Sequence, residues 1–185
     1  PTKTVWFTGL SGAGKTTIAN ELKSRLEAGG KRVKIFDGDE VRARAHKQLG
    51  FSREDIRQSN HLIAELCRKS KGEYDFILVP VISPYREDRK MAREIIGDDS
   101  FIELFIATPL SECIRRDVKG LYKKALNNEI DNMIGFSEKN PYELPESPNF
   151  SVDTTNSTLQ EVAARIISFL ENQAVEQPLR EPSLK

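Results

Sequence analysis

Short apolar runs alternate with longer amphipathic stretches along this chain, and the alternation predicts its architecture. Runs of apolar residues, or alternating apolar and polar residues as at 31–36, indicate strands, whereas apolar positions spaced three to four residues apart indicate helices. Strands are predicted at residues 4–8, 31–36, 76–82, 101–106 and 150–153. A repeated strand-helix order is typical of a parallel sheet with helices on both faces. The expected fold is therefore α/β, with one domain over residues 1–171 and a polar flexible tail over residues 172–185.

The stretches between the strands predict the helices and one irregular segment. Helices are expected at residues 17–28, 40–49, 52–69, 86–96, 110–118 and from 157 onwards. The last of these follows Ser157-Thr158-Leu159-Gln160, which we interpret as a capping box. Residues 119–149 show no regular spacing of apolar residues; the segment is basic at its start and rich in proline towards its end. A long irregular segment in a compact domain is typical of a functional lid.

The strongest motif lies between the first strand and the first helix. It reads Gly9-Leu10-Ser11-Gly12-Ala13-Gly14-Lys15-Thr16 and fits the P-loop pattern G-x-x-x-x-G-K-[ST]. In such a loop, backbone N–H groups and a helix N-terminus surround phosphate groups. Lys15 is expected to reach the β- and γ-phosphates, and the Thr16 hydroxyl is expected to hold Mg²⁺. The motif predicts a P-loop nucleoside-triphosphate kinase fold that uses ATP and Mg²⁺.

Two carboxylates follow the second predicted strand, in Asp37-Gly38-Asp39. Ligands bind at the carboxyl ends of strands in open α/β sheets, so both residues are candidates for catalysis. The run 76–82 carries no aspartate, and the carboxylates available to Mg²⁺ or to the nucleophile are therefore Asp37 and Asp39. The alternative is an Asx-type turn in which Asp39 caps a helix.

Composition narrows the class of protein. The 28 Lys and Arg residues balance the 28 Asp and Glu residues, which argues against nucleic acid or a membrane surface as partner. No apolar run approaches the length of a membrane span. Cys67 and Cys113 are expected to be buried thiols in a reducing compartment. A cytoplasmic enzyme with a small-molecule substrate is expected.

Several blocks in order resemble the adenylylsulfate (APS) kinases, which phosphorylate the ribose 3′-hydroxyl of adenosine 5′-phosphosulfate with ATP. The resemblance spans about residues 4–170. It rests on Trp6-Phe7-Thr8-Gly9-Leu10-Ser11-Gly12, Asp37-Gly38-Asp39-x-Val41-Arg42, Leu49-Gly50-Phe51-Ser52, Ile82-Ser83-Pro84-Tyr85-Arg86 and Lys119-Gly120-Leu121-Tyr122-Lys123. It implies an ATP-dependent kinase of sulfate assimilation and suggests a homodimer.

The resemblance also implies roles for individual residues. Asp39 would orient or deprotonate the attacking hydroxyl, with Asp37 supporting the metal side and Lys15 the transferred phosphoryl group. Arg42 would grip the phosphosulfate with its planar guanidinium, and Phe51 would stack on the acceptor base. The expected ATP-binding residues are Gly9, Ser11, Gly12, Ala13, Gly14, Lys15, Thr16, Thr17 and Arg116. The expected acceptor-binding residues are Asp39, Arg42, Phe51, Arg57, Asn60, Ile82, Ser83, Lys119, Leu121, Met133 and Phe136. For Ser83, a plain turn residue that bonds its own backbone is the alternative.

The acceptor side departs from the family pattern. The family's D-R-x-x-N falls on Ile56 and Ser59, while Arg57 and Asn60 repeat its spacing one residue later. One residue rotates a helix by about 100°. The family's stacking Phe falls on Met133, and its Ile-Asp falls on Phe136 and Ser137.

Three hypotheses follow from these departures. The first is an APS kinase whose pocket is restored by Phe136 or by a register shift at residues 56–60. The second is a kinase for another nucleotide, such as cytidine diphosphoramidate in capsule synthesis. The third is a catalytically silent nucleotide-binding module, against which the retained Lys15, Thr16, Asp37 and Asp39 argue.

Overall fold

Five parallel strands carry the loops in which the candidate residues lie. A computed structural model describes residues 1–45 and 48–175 of the chain. The strands are β1 (Lys3–Thr8), β2 (Val33–Ile35), β3 (Phe76–Val79), β4 (Phe101–Ile106) and β5 (Phe150–Val152). They pair in the order β2-β3-β1-β4-β5, and each pairing is parallel. The predicted α/β parallel sheet is confirmed, with the P-loop strand at its centre.

Seven helices and one short turn of 3₁₀ helix are found within the described residues. The helices are α1 (Lys15–Ala28), α2 (Gly38–Ala43), α3 (Arg53–Lys69), α4 (Arg86–Ile96), α5 (Leu110–Arg116), α6 (Leu121–Leu126) and α7 (Leu159–Val175). The 3₁₀ turn is Asp98–Ser100. No helix in residues 1–45 or 48–175 has the length and apolar character needed to cross a membrane.

The sheet separates two apolar cores, because successive side chains of β1 point to opposite faces. Val5 and Phe7 lie in one core with residues of α1 and α7, such as Leu22 and Ile166. Trp6 lies in the other core with residues of α3 and α4. Burial of the central strands on both faces explains why their sequences are almost continuously apolar.

Some element ends differ from prediction for local reasons. β3 ends at Val79 rather than at residue 82, since Pro80 has no N–H to donate to the ladder. The helix predicted at 40–49 is the shorter α2, and residues 46–47 lie outside the described residues. The last capping box is formed one residue later than predicted. Thr158 Oγ1 accepts from the Glu161 N–H, and Glu161 accepts from the Thr158 N–H.

The segment predicted to be a lid contains one short helix, α6. Residues 127–149, all of which the structure describes, form turns and irregular loops. Residues 172–175, which were predicted to belong to the tail, are part of α7, which continues to Val175. Residues 176–185 lie outside the described residues, and the tail stays a prediction.

Candidate active site

A cavity of about 720 Å³ opens at the carboxyl ends of β1, β2 and β3. The P-loop, the segment after β2, the start of α3 and the predicted lid all contribute to its wall. The predicted residues that line it are Ser11, Gly12, Gly14, Lys15, Thr16, Thr17, Asp37, Asp39, Arg42, Phe51, Asn60, Ile82, Ser83, Arg116, Lys119, Leu121 and Met133. Gly9, Ala13, Arg57 and Phe136 are not among the lining residues.

Two glycines of the P-loop are needed for different reasons. Gly14 precedes α1 with φ +106°, a left-handed conformation that L side chains rarely adopt. Gly9 lies against β4, and a Cβ built there would be 2.7 Å from the Ile106 carbonyl oxygen. Ala13 is buried, and its carbonyl accepts hydrogen bonds from the hydroxyls of Thr108 and Thr154, both at 3.1 Å. Gly9 and Ala13 therefore shape the loop without facing the cavity.

The N-terminus of α1 is suited to bind an anion. No side chain caps it, and its first turn holds no acidic residue. The Lys15 amine is buried and donates a hydrogen bond to the Leu10 carbonyl at 2.6 Å. Burial lowers the pKa of Lys15 from 10.5 to about 7, and the charge of Lys119 acts in the same direction. A phosphate chain would supply the negative charge that this amine and these N–H groups favour.

Asp37 and Asp39 have different structural roles. Asp37 caps α2, since its Oδ1 accepts from the N–H groups of Asp39 at 2.8 Å and Glu40 at 3.2 Å. The Asx-type turn of the alternative interpretation is present, but the cap is Asp37 and not Asp39. Asp39 is exposed at the cavity wall. Its position leaves the carboxylate available to a substrate hydroxyl.

Arg42 and Phe51 lie together at one side of the cavity. The Arg42 guanidinium carbon lies 5.0 Å from the centre of the Phe51 ring. Arg42 Nε donates to Ser59 Oγ at 3.3 Å. Burial lowers the pKa of Arg42, and the carboxylates of Asp39 and Asp55 oppose this shift. The guanidinium is thus partly desolvated and held beside an aromatic face.

The structure corrects the predicted role of Arg57. Ile56, Ser59 and Asn60 are buried and line the cavity, whereas Arg57 is exposed to solvent away from it. The reason is the helical rotation of about 100° per residue, which turns position 57 away when position 56 faces inward. The Asn60 amide also donates to the buried Asp88 carboxylate at 3.3 Å. Of the two residues invoked by a register shift at residues 56–60, Asn60 therefore lines the cavity and Arg57 does not.

Phe136 also does not replace the missing aromatic wall. Its ring packs edge-on against Tyr122, with centroids 5.1 Å apart, at the margin of the core. Met133 is buried and lines the cavity instead. The hydroxyl of Tyr122 donates to the Ser11 carbonyl at 2.8 Å, which attaches α6 to the P-loop. Met133 and Leu121 of this segment therefore line the cavity, whereas Phe136 does not.

Arg116 lies behind the P-loop and also reaches the cavity. Its guanidinium donates to Thr154 Oγ1 at 3.0 Å and to the Gly12 carbonyl at 3.4 Å, and it pairs with Glu112 at 2.9 Å. Sequence reasoning missed several lining residues near it, namely Thr154, Ser157, Leu159 and Val162. Their position after β5 was the available signal, because that strand ends at the same edge of the sheet as β1.

Ser83 is more than a turn residue. Its φ is +44°, which is uncommon for a residue with a side chain, and it is buried at the cavity wall. Its Oγ accepts from the Trp6 indole N–H at 3.1 Å, and its carbonyl accepts from Thr8 and Arg89. The alternative of a hydroxyl bonded to its own backbone is not what the structure shows. Ile82 lines the cavity beside it.

The residues present fit a magnesium-bound nucleoside triphosphate. The Thr16 hydroxyl is exposed at the start of α1, next to the uncapped N–H groups. Within residues 1–45 and 48–175 no three His, Cys, Asp or Glu side chains cluster to hold a metal by themselves. A Mg²⁺ ion here would therefore take most of its oxygen ligands from phosphate and water, as this ion prefers.

Comparison with known proteins identifies the family of this chain. The family model of adenylylsulphate kinase matches residues 1–153. The chain belongs to the adenylylsulphate kinase family. The adenylyl-sulfate kinase of Halothermothrix orenii is 46% identical over 174 residues, a match that covers 92% of this chain and 90% of that protein.

Other members differ in length or have solved structures. The bifunctional enzyme NodQ of Rhizobium meliloti is 44% identical over 181 residues, which cover 97% of this chain and 28% of NodQ. The chain thus spans less than a third of that relative. The Mycobacterium tuberculosis APS kinase CysC, solved in complex with AMPPNP and APS, superposes with a TM-score of 0.83 at 36% identity. The superposition covers 92% of this chain and 98% of CysC, which confirms the P-loop kinase fold.

Proposed function

We propose that this adenylylsulphate kinase family member transfers the γ-phosphoryl group of ATP to the ribose 3′-hydroxyl of adenosine 5′-phosphosulfate. The observation that carries the proposal is the single cavity described above. It joins a P-loop with Lys15 and Thr16 to a carboxylate, Asp39, and to the pair formed by Arg42 and Phe51. Catalysis of phosphoryl transfer depends mainly on positioning the donor phosphates and the acceptor hydroxyl beside one another and on neutralising their charge.

The donor half would hold ATP on the P-loop. The N–H groups at the start of α1 and the Lys15 amine would contact the phosphates, and Thr16 would hold Mg²⁺. The ion neutralises charge on the phosphate oxygens as the phosphoryl group moves. Arg116 donates to Thr154 Oγ1 and lines the cavity, as Ser157 does, and these residues would face the nucleoside of ATP.

The acceptor half would hold the nucleotide between Phe51 and Met133. Arg42, beside Phe51, would meet the phosphosulfate, for which a guanidinium is suited because it offers two parallel donors. Asp39 would accept the hydrogen bond of the 3′-hydroxyl and orient it towards the γ-phosphate. Lys119 and Leu121 lie at the lid side of the cavity and would cover both substrates.

A second candidate function is favoured by α3. Ile56 and Ser59 line the cavity where the family pattern has an arginine and an asparagine, and Arg57 faces solvent. The acceptor therefore meets an apolar side chain and a hydroxyl there. A nucleotide acceptor other than APS, such as cytidine diphosphoramidate, is the alternative that this wall supports.

Release of ADP from ATP and Mg²⁺ tests both candidates. We expect turnover with micromolar APS and little with cytidine diphosphate derivatives. Turnover with a cytidine compound and none with APS would reject the first function and favour the second. No turnover with either, together with normal ATP binding, would reject both and favour a silent module. A homodimer and a cytoplasmic location stay predictions, and sedimentation of the purified chain would test the first.

A further inference from the structure

Asn140 is buried outside the cavity, and both polar atoms of its side chain form hydrogen bonds. It is 1% exposed and lies in the segment after α6. Its amide nitrogen donates to the Phe51 carbonyl at 2.8 Å and to the Asn132 carbonyl at 3.0 Å. Its amide oxygen accepts from the Tyr85 hydroxyl at 3.1 Å. One side chain thus joins the segments at Phe51 and Tyr85, both distant in sequence, to its own segment, in which Asn132 lies eight residues earlier.

Two of those segments carry the walls that we assign to the acceptor base. Phe51 is 45% exposed and belongs to no helix or strand, because it lies in the loop before α3. Met133 directly follows Asn132, and its own N–H donates to Ser137 Oγ at 2.9 Å. The backbone of Asn140 closes the second loop as well, since its carbonyl accepts from the Gly135 N–H at 2.7 Å.

We propose that Asn140 is a positioning residue that fixes the separation between Phe51 and Met133, and so sets how tightly the acceptor nucleotide is held. The inference rests on the proposed function for its ligand, but the bridge itself rests on the contacts above. Both NH₂ hydrogens are used by the two carbonyls, so a side chain without two donors on one atom cannot replace it. A buried amide that satisfies three segments at once rigidifies them relative to one another.

The sharpest variant is Asn140→Asp, because it keeps size and shape and removes both donors. Two carbonyl oxygens would then face a carboxylate, and the two loops would separate. We expect the acceptor KM to rise tenfold or more, while the KM for ATP changes less than twofold. Asn140→Ser, which is smaller and carries no charge, should move the acceptor KM in the same direction.

Asn127→Asp is the matched control, since it places the same charge on an exposed residue of the same segment. It should leave both KM values within twofold of wild type. Thermal unfolding of each variant shows how much protein is folded under assay conditions. If Asn140→Asp raises both KM values equally, or lowers only kcat in proportion to the unfolded fraction, the residue is merely structural and the proposal is overturned.

Hydrogen exchange separates failure of this proposal from failure of the proposed function. In Asn140→Asp, amides at residues 50–52 and 132–135 should exchange at least tenfold faster, whereas P-loop amides should not change. If wild type does not use APS, the proposed function fails, and faster exchange in both loops still supports the bridge. Unchanged exchange in these loops, or an unchanged acceptor KM in an active enzyme, overturns the bridge.

Discussion

Replacement of Lys15 by methionine should remove turnover and yet stabilise the nucleotide-free protein at low pH. The amine is buried at the start of α1, and its pKa falls from 10.5 to about 7 because burial disfavours the charged form. Below pH 7 the folded chain carries this charge in a poorly solvated place, at a cost on the order of 5 kcal/mol relative to an exposed lysine. Methionine fills similar space without the charge.

The sign of the pH dependence follows from proton binding. Between pH 7 and 10.5 the unfolded chain holds a proton on Lys15 that the folded chain has released, so stability rises with pH. From pH 6.5 to 8.5 the wild type should gain about 2 kcal/mol relative to Lys15→Met. The advantage of the variant is therefore greatest in acid and is lost as pH rises towards 10.5.

Urea unfolding at several pH values, with chelator and without nucleotide, measures this difference. Lys90→Met removes one exposed lysine from α4 and controls for the loss of a positive charge. If the stability of Lys15→Met runs parallel to that of wild type from pH 6.5 to 8.5, the amine is not desolvated in the free protein. The hydrogen bond to the Leu10 carbonyl would then be the main feature of its environment.

Three further predictions concern the cavity wall. Asp39→Asn should leave the Kd for ATP near normal and remove most turnover in an ADP-release assay; unchanged turnover would make Asp39 a turn residue only. Arg42→Ala should raise chiefly the acceptor KM, and a rise confined to the ATP KM would contradict its assignment. Ser83→Ala should destabilise the fold by about 1–3 kcal/mol in urea, because the buried Trp6 N–H loses its acceptor. Equal stability of that variant would mean that another group takes this hydrogen bond.

The sequence predicted the sheet and the P-loop side of the cavity, but not the lining residues that follow β5. Apolar runs predicted the central strands, which are buried on both faces, and alternating basic and apolar residues predicted β2. The spacing of Gly9, Gly14 and Lys15 indicated the P-loop. These signals are local. Whether a strand is buried and which backbone conformation a loop adopts can both be predicted from a few consecutive residues.

The acceptor half could be predicted only in part, because it depends on helix phase and on distant contacts. Whether Ile56 or Arg57 faces the cavity depends on the rotation of α3 about its axis, which packing against the sheet decides. Phe136 has the right chemistry for a base-stacking wall, but Tyr122 engages it. The hydrogen bond from Asn140 to the Phe51 carbonyl joins residues 89 positions apart, so no short sequence pattern predicts it.

The close approach of Gly9 to β4 changes how a mutational scan of the P-loop would have to be interpreted. A side chain at position 9 would meet the Ile106 carbonyl oxygen at 2.7 Å, whereas a Cβ at position 14 meets no atom closer than 3.8 Å and strains only the backbone. Loss of growth or activity from a change at Gly9 would thus reflect missing folded protein. The same loss at Gly14 would report on the phosphate-binding loop. Abundance must be measured beside activity before inactivating changes in this loop are counted as evidence about ATP.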